Sequence, residues 1–327
     1  MQSVTDMDNR CGIAVAGTIL VDKINEIATY PAEGELTKIL SVSRAVGGCV
    51  PNTGIDIKRV SPDIPVLAIG KIGRDSDGDF LESVLRDNGV STGGLVRGEL
   101  PTSFTDVMSV SGGQRTFFTC PGTCADFGYE DIDFEALNVK MLHLGYFLLL
   151  DKVDGGDGRR ILKKAQALGI KTSIDLVSES GDRYYIVKDC LEYTDNVIIN
   201  ELEAAMIAGV EPSIENLELI ARKIKDMGVK ERVIIHMPEI SVCYSDNGFF
   251  KLPSWELPKG YIKGKTGAGD AFCAGALIGI YRGLDEMGIL TLASKSATAS
   301  LAAPDSIGSM MSEEQIDALL LKMNIQF

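Results

Sequence analysis

Histidine is nearly absent from this chain. Its 327 residues include only His143 and His236, and both sit inside apolar, strand-like runs. Such surroundings fit core residues better than ligands or catalysts, which sets aside a histidine base or a histidine-rich metal centre. Paired cysteine is missing too. Cys11, Cys49, Cys120, Cys124, Cys190, Cys243 and Cys273 are odd in number and scattered, and Cys120 and Cys124 have no second pair. A zinc or disulfide framework therefore has little support, and with no signal-like N-terminus the expectation is reduced thiols in the cytoplasm. Positive charge is also short, with 32 Lys and Arg against 46 Asp and Glu, a formal net charge of -14. That excludes nucleic acid or an anionic membrane as the main partner, while leaving room for a small anionic nucleotide held locally. The longest apolar run, around Phe147 to Leu150, is far short of the roughly 20 residues that a membrane span needs.

Several nucleotide and metal motifs are absent as well. No Gly-x-Gly-x-x-Gly follows the first strand, which weakens a dinucleotide-dehydrogenase reading. A P-loop ending at Gly264-Lys265-Thr266 would need glycine at position 259, which is Lys259. Asp75, Asp77 and Asp79 alternate as in a calcium loop, but Gly78 sits at loop position four rather than six and Arg86 at position twelve. No direct protein ligand to a metal is assigned.

What is present is Gly264-Lys265-Thr266-Gly267-Ala268-Gly269-Asp270, running straight into the apolar segment 271–281. Three small residues let backbone approach a ligand closely where a helix begins, and unpaired N–H groups there form an anion pocket. Asp270 falls in the first turn, where the helix dipole favours a carboxylate. A carboxylate beside an anion hole suits phosphoryl transfer to a hydroxyl. A second reading stands beside this one, because Ala271, Ala274, Gly275 and Ala276 are small too and equally fit close packing of a buried helix.

The hydrophobic content of 45% is that of a globular protein. Residues 12–17 read as a buried strand leading to Asp22, placed just beyond a strand end, where open α/β sheets gather ligands. As a lone residue Asp22 also fits a turn. Stretches 23–30 and 36–44 alternate as short strands, and 102–110 with 114–119 form a hairpin around Ser111-Gly112-Gly113. Together they predict a lid of about four strands, with Arg115 either solvated or reaching substrate. Gly47-Gly48 opens a helix that carries Asn52. Strands are expected at 66–72, 140–144, 171–175, 196–199 and 232–236, then 241–245 and 249–252. Helices are expected at 80–88, 158–167, 182–191, 201–208 and 214–227, and again at 291–302. This alternation predicts a single α/β domain over 1–327, with a mostly parallel central sheet covered by helices on both faces. The lid strands, from about 23–44 and 102–119, are inserted into it. Asn200 to Glu203 lies at a strand-to-helix junction, where Asn and Glu are ordinary caps.

Thr266-Gly267-Ala268-Gly269-Asp270-Ala271-Phe272-Cys273-Ala274-Gly275 resembles the C-terminal signature of the ribokinase-like (PfkB) family of carbohydrate and nucleoside kinases. Further matches follow in the right order from Gly12 to about Leu321: Asp22, Gly47-Gly48 with Asn52, and Asn200 with Glu203. The resemblance implies a ribokinase-like fold with a small β-sheet lid, and ATP-dependent phosphorylation of a primary hydroxyl of a sugar. A nucleoside is the alternative acceptor, and a non-catalytic sugar sensor a further one. It implies Asp270 as the base, Gly267, Ala268 and Gly269 as the anion hole, and Asp22, Gly47, Gly48 and Asn52 as acceptor contacts. It also implies Asn200 and Glu203 near Mg2+ and the phosphates, and the 291–302 helix beside the adenine. Lid strands leave open sheet edges and apolar surface, so a homodimer through the lid is expected. Two departures stand out. Gly264-Lys265 replaces the family's Asp-Thr, so potassium activation is not carried over, and the Lys265 ammonium is expected to substitute for the monovalent cation. Pro238 stands where relatives place a Gly-x-x-Gly loop beside the nucleotide.

Overall fold

The computed structural model describes residues 10–110, 115–179 and 181–327, so the expected turn at Ser111-Gly112-Gly113 lies outside the described residues. Apolar runs such as Ile13–Gly17, buried at every position, build the interior strands of a large sheet. Its strands are β1 (Ile13–Gly17), β4 (Val66–Ile72), β5 (Ser91–Arg97), β8 (Met141–Phe147), β9 (Lys171–Leu176), β10 (Asn196–Asn200), β11 (Arg232–His236), β12 (Ile240–Ser245) and β13 (Gly248–Pro253). Their order is β13-β12-β11-β10-β9-β8-β1-β4-β5. Every neighbouring pair from β5 to β11 is parallel, and β12 and β13 return antiparallel. A separate sheet of β2 (Leu20–Ile27), β3 (Ile39–Gly47), β6 (Phe104–Val110) and β7 (Arg115–Cys120), in the order β3-β2-β6-β7, forms the lid.

Helices cover both faces of the large sheet, each face with its own apolar core. One face carries α1 (Cys49–Val60), α2 (Ser76–Asp87), α6 (Ala268–Arg282), α7 (Glu286–Ser300) and α8 (Glu313–Lys322). The other carries α3 (Gly158–Ala167), α4 (Glu201–Ala208) and α5 (Leu217–Asp226). The small residues of α6 let α7 pack closely, since a Cβ on Gly275 would lie 2.6 Å from the Leu292 carbonyl oxygen. Close helix packing is thus realised in the body of α6, which leaves its first turn to be judged separately.

The structure differs from expectation in several places. Asp22 lies inside β2 rather than in a loop past a strand end, because only Thr18 and Ile19 separate β1 from the lid. β5 was not expected, as Gly93-Gly94 dilutes its strand character; a Cβ on Gly94 would lie 2.7 Å from the Ala68 carbonyl oxygen. Helix α2 starts at Ser76 rather than Phe80, because the Asp75 carboxylate accepts from the Gly78 amide at 2.9 Å and caps it. The 182–191 stretch is a 3-10 turn (Arg183–Val187) followed by one helical turn (Lys188–Leu191). All seven cysteines are free, and no helix among the described residues is long and apolar enough to cross a membrane.

Candidate active site

β1 lies between β4 and β8, so the chain leaves it toward one edge of the sheet and later returns on its other side. Ligands collect outside the carboxyl ends of strands at such a switch point. The acceptor-side residues named from the sequence meet here. Gly48 adopts φ 90°, and a Cβ on it would lie 2.4 Å from the Thr18 carbonyl oxygen, so only glycine opens α1 in this way. Gly47 pairs with Leu20 across the lid, and a Cβ on it would lie 2.8 Å from Asp22 Oδ2. Burial raises the Asp22 carboxyl to about 6, with Arg115 opposing the rise.

Asn52 projects from α1 into the interior, where its Nδ2 donates to Asp270 Oδ2 at 3.0 Å. Its own Oδ1 accepts from Ser306 Oγ at 2.9 Å, which fixes the amide orientation. Asp270, in the first turn of α6, is only 5% exposed. Burial, reinforced by the Asp175 carboxylate, lifts its carboxyl from 3.8 to about 7, while Asn52 and Tyr146 hold it down. A carboxyl with that titration can take up or release a proton near neutral pH. Gly267, which precedes α6, sits at φ 79°, and a Cβ there would lie 2.5 Å from Ser306 Cα. The Ala268 amide donates back to the Lys265 carbonyl at 3.3 Å, so within the expected anion hole Gly269 and Gly267 are the ones that border open space.

That space is a cavity of about 540 Å³, lined by Tyr146, Asp175, Ser178, Asn200, Glu203, His236 and the Lys265–Asp270 turn among others. Asn200 and Glu203 form a reciprocal cap on α4: Asn200 Oδ1 accepts from the Glu203 amide at 2.9 Å, and Glu203 Oε2 accepts from the Asn200 amide at 3.1 Å. Ser178 Oγ donates to Glu203 Oε1 at 2.8 Å. Burial raises Glu203 to about 7 against the pull of these donors. Lys265 is exposed at the cavity wall.

The chain belongs to the pfkB family of carbohydrate kinases. The family model matches residues 13–313. Ribokinase of Arabidopsis thaliana is 22% identical over 312 residues, covering 94% of this chain and 80% of that protein. Adenosine kinase of Saccharomyces cerevisiae is 27% identical over 286 residues, covering 82% of this chain and 81% of that one. The solved structure of Arabidopsis thaliana ribokinase complexed with ribose and ATP superposes with a TM-score of 0.83 at 21% identity, covering 95% of this chain and 99% of that one. The likeness shows the ribokinase fold, in keeping with the parallel sheet and separate lid.

Three residues that line the cavity escaped the sequence reading. His236, expected in the core, lines the cavity; burial holds its ring neutral, down to about 4, and the ring lies 4.7 Å from that of Phe272, tilted by 38°. His143 is the true core histidine, fully buried between Ser173 Oγ at 3.0 Å and Asp175 Oδ2 at 3.3 Å. Asp175 is the penultimate residue of β9 and lines the cavity, so the strand-end logic applied to Asp22 would have found it. Tyr146 donates from its hydroxyl to both Asp270 oxygens, each at 2.9 Å. In the sequence, only the expected end of the 140–144 strand lay near it.

Proposed function

We propose that this pfkB kinase transfers the terminal phosphoryl group of ATP to a primary hydroxyl of a sugar held by Asp22, Gly47, Gly48 and Asn52, with Asp270 removing the hydroxyl proton. The observation that carries the reading is the position of Asp270. It joins the acceptor side through Asn52 at 3.0 Å and faces the cavity on the other side, beside a helix N-terminus. That first turn offers N–H groups and dipole to the developing phosphoryl charge. The cavity is assigned to the nucleotide, and Mg2+ bound with it would neutralise phosphate charge. Glu203 fits a role through water, because both of its oxygens already accept hydrogen bonds from Ser178 and Asn200. Lys265 supplies positive charge at the same wall in place of a monovalent cation. The setting is cytoplasmic, in line with seven free thiols.

A nucleoside acceptor is the second reading, and one observation favours it. Strand register puts Phe117 on the same lid face as Asp22, and it is 61% exposed, a platform on which a base can stack. Phe104 is engaged elsewhere, beneath the Lys23 ammonium at 3.9 Å. The deciding experiment measures ATP consumption with Mg2+, with and without K+, against pentoses, hexoses, keto-deoxy acids and nucleosides. A single strong acceptor with no K+ stimulation supports the reading and names the substrate. Stimulation by K+ removes the role given to Lys265, and silence across the panel removes these acceptors in favour of a sugar sensor or an acceptor outside the panel.

A further inference from the structure

Asp270 already holds a hydroxyl group, and it comes from the protein. The Tyr146 hydroxyl stands 2.9 Å from both carboxylate oxygens, the distance at which a base must hold the hydroxyl that it activates. Asn52 occupies a second hydrogen-bonding position on Oδ2. Tyr146 and Asn52 together leave an incoming hydroxyl little room on the carboxylate.

The delivery of Tyr146 is specifically built. The pairing of β8 with β9 slips between Leu144 and Phe147, an irregularity that re-aims the intervening side chains. Tyr146 takes φ 60° and Leu148 takes φ 84°, left-handed conformations that cost a non-glycine residue energy and persist only where the surroundings enforce them. Here the enforcement is visible. Asp175 Oδ1 accepts from the Tyr146 amide at 2.6 Å, Asp154 Oδ1 accepts from the Leu148 amide at 2.9 Å, and Arg183 donates to the Leu148 carbonyl at 2.7 Å. The ring of Tyr146 is half-buried and borders the cavity, so it has space into which to withdraw.

We propose that Tyr146 is an internal stand-in for the acceptor: its hydroxyl occupies the base in the empty enzyme, and a substrate hydroxyl must displace it before phosphoryl transfer. This rests on the kinase reading. Its consequence is protective, because water cannot be activated by Asp270 while Tyr146 holds the carboxylate, so ATP is spared when no acceptor is bound. It also makes acceptor binding pay for the displacement, so apparent affinity is lowered by the fraction of enzyme in the occluded state.

Tyr146→Phe, which keeps the ring and removes the hydroxyl, tests this. Hydrolysis of Mg-ATP without acceptor should rise about tenfold, the population factor held by a hydrogen bond to a charged group. The KM for D-ribose, D-fructose or adenosine, whichever serves, should fall while kcat changes less. A carbon-13 NMR titration of the Asp270 carboxyl should move above its wild-type point, since one of the two donors that hold it down is gone. The other groups around that carboxyl, Asp175, Asp56, Cys49 and Cys273, are left in place by the substitution. Tyr146→Leu, which removes the ring as well, should give the same signs. An unmoved titration overturns the contact; a moved titration with unchanged hydrolysis and KM overturns the occlusion. A wild type inert toward every acceptor sinks the kinase reading instead, and the titration still decides the contact.

Discussion

Replacing Asp270 by Asn separates catalysis from stability, and the two should move in opposite directions. Removing the base costs about 10² to 10⁴ in turnover. The folded protein, however, is relieved of a buried charge. A carboxyl raised from 3.8 to about 7 binds its proton more tightly folded than unfolded. Wild-type stability is therefore full below pH 3.8, falls as pH rises through the window up to about 7, and is level above it. At about 1.4 kcal/mol per pH unit across that gap, the charge costs up to about 4 kcal/mol, and relaxation around the site reduces this to roughly 2 kcal/mol. The neutral amide escapes that cost and keeps its contacts. Tyr146 can donate to its Oδ1, and Asn52 can flip so that its Oδ1 accepts from the new Nδ2 while its own Nδ2 turns to the Ser306 hydroxyl. Scanning calorimetry near pH 4 and pH 8 should show the variant gaining a few degrees over wild type only at the higher pH. Equal gaps at both values would refute the buried-charge reasoning, and near-normal turnover would refute the base.

Gly267→Ala should lower stability by about 2 kcal/mol or more, because it combines a left-handed residue with a clash against backbone at Ser306. Since Ser306 fixes Asn52, kcat/KM should fall at least about tenfold with it, and a variant that melts like wild type would show that the close approach is absent in solution. The lid exposes Val42 at 70%, Leu40 at 59% and Phe118 at 59%, apolar surface on a sheet with open edges that a second subunit would cover. Val42→Asp should then halve the mass seen by light scattering at micromolar concentration; a wild type already monomeric there removes the homodimer.

What could be read in the sequence was whatever short spacing writes down. The Asn200–Glu203 cap, the glycine turn before Asp270, and the strands of the parallel sheet all depend on neighbours within a few positions. Tyr146 and Asp270 are 124 residues apart, and no local pattern links them; they meet because parallel register sets β8 beside β9 and its slip turns Tyr146 inward. Asp175 was within reach of strand-end reasoning, but its importance depends on which amide it holds, and that amide belongs to a strained turn on the neighbouring strand. Glu203 shows why the two readings offered for such residues are not rivals. The cap that fixes the start of α4 is also what fixes this carboxylate, buried and raised to about 7, at the wall of the cavity. A glutamate free of Asn200 and Ser178 would swing into solvent and lose both its charge tuning and its aim, so the structural contact is the means by which a role at the phosphates becomes available.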